Sequence, residues 1–128
     1  MCDRSGRALA FALMPGQAAE LKAAPGLLGA AMALGQVRRV VCDRGYSSEP
    51  WRTAIREAGA EPVVPAQPTH KNATPHDPEP YRRRHKVENL WARLKEWRAI
   101  ATRYDKTASS FSGGLYLAAA FEWFPNRA

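Results

Sequence analysis

A chain of 128 residues, 45% of them hydrophobic, has room for one domain with a real core and too little for two, so a single folded unit is expected and wholesale disorder is excluded. Its 19 Lys and Arg outnumber 12 Asp and Glu, a net +7 that fits either a polyanion partner such as nucleic acid or a solvated basic face. Two cysteines, Cys2 and Cys42, make no disulfide framework, and no apolar run reaches the roughly 18 residues of a membrane span, so a reducing, cytoplasmic setting with no membrane contact is expected.

In chain order, "DRSG" at Asp3 to Gly6 predicts a turn, and the short apolar "RALAFALMPG", Arg7 to Gly16, predicts a buried strand entering from a hairpin. "QAAELKAAPGLLGAAMALG" is rich in helix formers but interrupted by Pro25 and Gly26, which predicts two short helical pieces ending near Gly35. The β-branched "VRRVVCD" predicts a strand that stops at Asp43. Ser48 as N-cap, Pro50 in the first turn and Gly59 as a stop predict a helix over "SSEPWRTAIREAGAE", and the proline-edged "EPVVPA" predicts a brief strand. Residues 65–80, rich in Pro, Thr, Asn and His without periodicity, read as a long surface loop. An amphipathic helix is predicted over 81–98 and a mostly apolar one over 107–124, whose Gly113 and Gly114 would permit close packing. Strands and helices alternating in this order make an α/β chain.

The most basic part of the chain, Tyr81 to Arg103, carries eight basic residues against two acidic ones, and Glu88 stands among them. On one continuous helix at about 100° per residue, Tyr81, Arg84, Glu88 and Lys95 share a stripe, while Val87, Leu90, Leu94 and Ala101 gather on another face. The spacing leaves two readings open. Glu88 can simply pair with Arg84 four residues back, worth roughly 0.2–0.5 kcal/mol, or it can stand as an acid flanked by bases along a cleft. Asp43 shifts the balance: it falls where a strand ends, the edge at which α/β sheets place ligands, although a turn aspartate before Gly45 is the plainer reading. A strand-end Asp and a helix Glu converging on one cleft could bind divalent metal through oxygen, the arrangement that activates a water or a 3′-hydroxyl against a phosphodiester. Basic residues alongside would hold the phosphate backbone.

These residues carry a resemblance. "YRRRHKVENLWARLK" has the form Y-x-x-R-x-x-x-E-x-x-x-x-x-x-K, matched by Tyr81, Arg84, Glu88 and Lys95, and resembles the signature around the last acidic residue of DDE (Asp-Asp-Glu) transposases of bacterial insertion sequences, of the insertion-sequence five/four type. "VVCDRGYSSEPWRTAIREAGAEPVVP" looks like the segment carrying the second catalytic Asp, matched by Asp43; "DRSGRALAFALMPGQ" resembles the strand pair before it, and "RAIATRYDKTASSF" resembles the segment C-terminal to the Glu helix. The resemblance implies an RNase H-like fold, partial, with a mixed sheet lacking its first strand or strands and flanked by helices. It implies DNA cleavage and strand transfer at element ends and target, dependent on Mg2+ or Mn2+, with Asp43 and Glu88 as catalytic metal ligands. Arg84, Lys95, Tyr81, Arg83 and Lys86 are the expected DNA contacts.

One departure matters. The first catalytic Asp of the family has no match, because Asp3 looks like a hairpin-turn residue, so residues 1–128 are expected to be the C-terminal part of a catalytic domain. An upstream transposase segment would complete it, and the isolated chain would be inactive and prone to associate, as a homo-oligomer or through its open sheet edge. A non-catalytic DNA-binding or regulatory remnant and a protein-interaction module are the alternatives. His70, His76 and His85 are too scattered for a metal motif. Trp91, Trp97 and Trp123 are expected to pack in a core or interface, and Tyr46 either touches DNA or closes the turn after Gly45.

Overall fold

The computed structural model describes residues 1–66 and 78–124, so most of the expected loop over 65–80, with His70, His76 and Asp77, lies outside the described residues. Where the composition suggested one unit, the chain forms two, Met14–Arg84 and Met1–Leu13 with His85–Ala128, because its apolar residues divide into two separate cores.

The unit Met14–Arg84 opens with a 3-10 turn, Glu20–Ala23, that runs into helix α1, Ala24–Leu34. Pro25 does not interrupt this helix. It sits in the first turn, where its missing N–H has no partner to lose and its fixed φ suits the helix. Strand β1, Arg39–Val41, is followed by a 3-10 turn at Arg44–Tyr46, helix α2, Glu49–Glu57, and strand β2, Glu61–Val63. Both ends of α2 are set by local chemistry: the Ser48 hydroxyl accepts from Trp51 N–H at 3.3 Å, and Gly59 takes φ +80, which costs a glycine little. β1 and β2 pair in parallel with α2 between them, Val40 opposite Pro62 and Val41 opposite Val63. The ladder bonds, Glu61 N to Arg38 O and Cys42 N to Val63 O, fall on the residues flanking Pro62, so the proline has no ladder donor to lose. Trp51 and Ile55, one turn apart on α2, close the core with Leu28 and Val40. The described segment 78–84 is a helical turn α3, Pro78–Tyr81, and a 3-10 turn, Arg82–Arg84.

In the other unit, helices α4, His85–Lys95, α5, Arg98–Thr102, and α6, Ala108–Phe121, enclose Leu90, Leu94, Ile100, Leu115, Ala118 and Ala119. The predicted strand over Arg7–Gly16 is not one. An isolated antiparallel bridge joins Cys2 and Ala8 across the "DRSG" turn, and the segment then inserts small Ala8 and Ala10 as buried residues with no strand neighbour among the described residues. The described sheet is therefore the two-stranded parallel ladder alone, in a helix-rich α/β chain, and not a mixed one.

The predicted helix over 81–98 also divides. Arg82–Arg84 tighten to 3-10 geometry, α4 stops at Lys95, and Trp97 turns extended, with ψ 108, before α5 begins. Ala101 lies exposed on α5 and leaves the apolar stripe. Thr107 caps α6 by accepting from Ser110 N–H at 3.1 Å, but nothing approaches within 4 Å of where a Cβ would stand on Gly113 or Gly114, so these glycines serve no close packing among the described residues. None of the described helices is long and apolar enough to cross a membrane.

Candidate functional site

Asp43 stands one residue past the last ladder bond of β1, half-buried, as the N-cap of the 3-10 turn Arg44–Tyr46. Its Oδ1 accepts from Gly45 N–H at 2.8 Å, the bond that bends the chain out of the strand, and Oδ2 has no hydrogen bond among the described residues. The carboxylate thus does the work of a turn with one of its two oxygens.

Tyr46 closes the same turn. Its hydroxyl reaches Glu20 Oε2 at 3.4 Å, and its pKa is pushed up to about 12, first by burial and then by the negative charges of Glu20 and Asp43. Behind the turn, Arg52 is buried on α2, with Nη2 donating to Ser47 Oγ at 3.3 Å and Nε 4.0 Å from Glu49 Oε2. Sequence reasoning missed Glu20 and Arg52; the only available signal was the Glu49–Arg52 spacing of three, ordinary for a solvated helix. Burial pushes the Cys42 thiol up, so it is a poor nucleophile.

Glu88 is exposed in the first turn of α4, and Lys95, seven residues on, is exposed at its end. Seven residues of α-helix bring the two within about 20° of one another, facing away from buried Leu90 and Leu94. Tyr81 and Arg84, each half-buried, belong to the preceding turns in the other unit. The 3-10 turn Arg82–Arg84 comes between Tyr81 and the helix His85–Lys95, so the four residues do not lie on one continuous α-helix. Arg83 is exposed, its Nη2 3.8 Å from Glu79 Oε1.

Two of the cations around Glu88 fasten the helix. Lys86 Nζ donates to Arg4 O at 2.9 Å; Arg93 Nη2 donates to Gly6 O at 2.8 Å and its Nε to Glu122 Oε2 at 2.7 Å, where the Glu122 side chain is only 6% exposed. Gly6 permits this with φ +86. Asp3 is a turn residue: it accepts from Ser5 N–H, Arg7 N–H and Arg7 Nε at 2.8–2.9 Å. Burial alone would raise its pKa, but the Arg7 and Ser5 donors outweigh that and lower it. Asp105 accepts from Ser110 Oγ.

The indoles pack in part. Trp91 meets Phe11 edge-on with ring centres 5.7 Å apart, Trp97 lies 5.4 Å from Phe121, and Trp123 Nε1 donates to Ala8 O at 2.9 Å, yet all three stay substantially exposed. Among the described residues no three His, Cys, Asp or Glu side chains gather to hold a metal ion. Asp43 and Glu88 are hard oxygen donors, the chemistry Mg2+ and Mn2+ prefer.

The family model described as "Transposase DDE domain" matches residues 40–125, from β1 past the end of α6. A Brucella ovis protein named as a transposase for insertion sequence element IS6501 is 30% identical over 122 residues, 94% of this chain and 92% of that one. No solved structure matches the chain. A match that takes in Asp43, Glu88 and the elements carrying both shows that the chain belongs to the DDE transposases, proteins of DNA transposition.

Proposed function

We propose that Asp43 and Glu88 are two of the metal-binding carboxylates of an insertion-sequence transposase that cuts and joins DNA from an RNase H-like catalytic domain. The observation that carries this reading is Asp43 itself, a strand-end carboxylate with one oxygen held by Gly45 N–H and the other without a hydrogen bond among the described residues, inside the segment matched to the DDE domain. Glu88 stands exposed within the Tyr81, Arg84, Glu88 and Lys95 spacing on which the resemblance to the insertion-sequence five/four type rests.

Transposases of this family use divalent metal ions. When bound, such an ion neutralises charge on the scissile phosphate and makes a water or a 3′-hydroxyl a competent nucleophile. This chain's residues hold and orient. Asp43 Oδ2 and the Glu88 carboxylate offer oxygen ligands; Arg83, Arg84, Lys95 and the remaining donors of Lys86 neutralise the DNA backbone; the Tyr81 hydroxyl orients a phosphate oxygen. A further carboxylate would come from an upstream transposase segment. Catalysis belongs to that assembly, acting on element-end and target DNA in the cytoplasm.

Mn2+ titrated into the isotopically labelled full chain tests the ligand assignment. Amide signals next to Asp43 and Glu88 should broaden over one and the same Mn2+ range, and Asp43→Asn or Glu88→Gln should remove the effect at both places. Broadening that ignores either substitution overturns the assignment.

A further inference from the structure

Two of the basic residues of the Glu88 helix are occupied in holding the fold, and the cations left over lie further along the chain. Lys86 and Arg93 are bonded to Arg4 O, Gly6 O and Glu122. Lys95, Arg98 and Lys106, by contrast, are exposed and make no side-chain hydrogen bond or ion pair among the described residues, and Arg103 makes only a loose approach to the Phe111 ring at 5.9 Å. The two acids of the stretch, Glu96 and Asp105, leave a net positive charge beside the four cations, and Asp105 is held locally by Ser110 Oγ.

The backbone here is not arranged for stability. Helix α5 has five residues, no side-chain cap at Trp97, and a cation, Arg98, in its first turn, where the helix dipole disfavours positive charge. It ends on Arg103 at φ 50, ψ 47, the left-handed region that glycine occupies without penalty and arginine does not. The next residue, Tyr104, is 76% exposed, the highest value of any large hydrophobic residue described, with no ring contact or hydrogen bond among the described residues. A strained cation followed by a bare aromatic ring, among further unengaged cations, is the chemistry of a surface that tracks a phosphate backbone and stacks a base.

We propose that Lys95, Arg98, Arg103 and Lys106 form a DNA-backbone surface in which the Tyr104 ring stacks on an unpaired base. The proposal rests on the reading of the chain as a transposase and adds a place for the base left unpaired where a strand end is cut or frayed. It extends the contact set past Lys95 to a segment with no assigned role.

The test uses the full chain and two labelled DNA duplexes of unrelated sequence, one blunt and one with a short single-stranded overhang. Arg98→Gln with Lys106→Gln should flatten log K against log salt by up to about 2, at roughly 0.9 per phosphate contact, while Arg56→Gln, an exposed cation paired with Glu49, should leave the slope unchanged. Tyr104→Ala should weaken the overhang duplex about tenfold and the blunt one little. All these side chains are exposed, so unchanged thermal melting checks the fold. An unchanged slope in the double variant, or a Tyr104→Ala effect that is absent or equal on the two duplexes, overturns the proposal. Metal-dependent cleavage that still needs Asp43 and Glu88, by the chain joined to the upstream transposase segment, would leave the transposase reading standing in that case, whereas no DNA binding by the wild type sinks both.

Discussion

On the proposed assignment Asp43 serves both a turn and a metal site with one side chain, and substitutions can separate the two. Asn keeps an oxygen for Gly45 N–H and should leave stability within about 0.5 kcal/mol, while Ala removes the turn acceptor as well and should cost about 1 kcal/mol, read by urea denaturation. Tyr46 offers a spectroscopic check of the same turn. Of the four tyrosines, one should ionise near pH 12, and Tyr46→Phe should abolish that step in ultraviolet titration. Because the value is raised, the folded state favours the neutral phenol, so its contribution is intact below the unfolded pKa of about 10 and fades as pH climbs toward 12. For Asp3 the sign is opposite. Its lowered pKa means stability present above the ordinary value of 3.8 and lost as pH falls through the folded one, so Asp3→Asn should flatten the acid limb of a stability curve.

Helix α4 was legible in its apolar spacing and its motif, and its anchorage was not. Leu90 and Leu94 announce the buried face, but nothing in "HKVENLWARLK" separates Arg93, which meets a nearly buried Glu122, from Lys95, which is exposed, because the partners lie 29 and 87 residues away. Arg93→Met should remove the ion pair to Glu122 and the bond to Gly6 O and destabilise by about 2 kcal/mol in denaturant melts, with Arg93→Lys recovering part of the loss. The α2 caps at Ser48 and Gly59 were readable because they are local, one hydroxyl and one φ. The strand predicted at Arg7–Gly16 failed for the complementary reason: an apolar run specifies burial, and whether a sheet neighbour exists is decided elsewhere. The breaks at Arg82–Arg84 and Trp97 were hidden as well, since no glycine or proline marks them and the 3.6-residue period carries straight through.

At the scale of the molecule, the charge that composition reports as a single +7 is divided by structure into cations spent on the fold and cations left for a partner. The acids divide likewise: Asp3 and Asp105 are bound within turns and Glu122 to Arg93, and among the described residues no three acids, cysteines or histidines gather for a metal. On this account the chain by itself should fail to cleave DNA, because a two-metal site with cations about 4 Å apart needs a bridging carboxylate beyond Asp43 and Glu88. The most direct measurement is Mg2+-dependent strand cleavage of element-end DNA by this chain joined to the upstream transposase segment. The account predicts cleavage that chelator abolishes, that Asp43→Asn and Glu88→Gln each lower by at least about a hundredfold with DNA affinity unchanged, and that the isolated chain lacks. Near wild-type cleavage by either variant, or Glu88-dependent cleavage by the isolated chain, would contradict it.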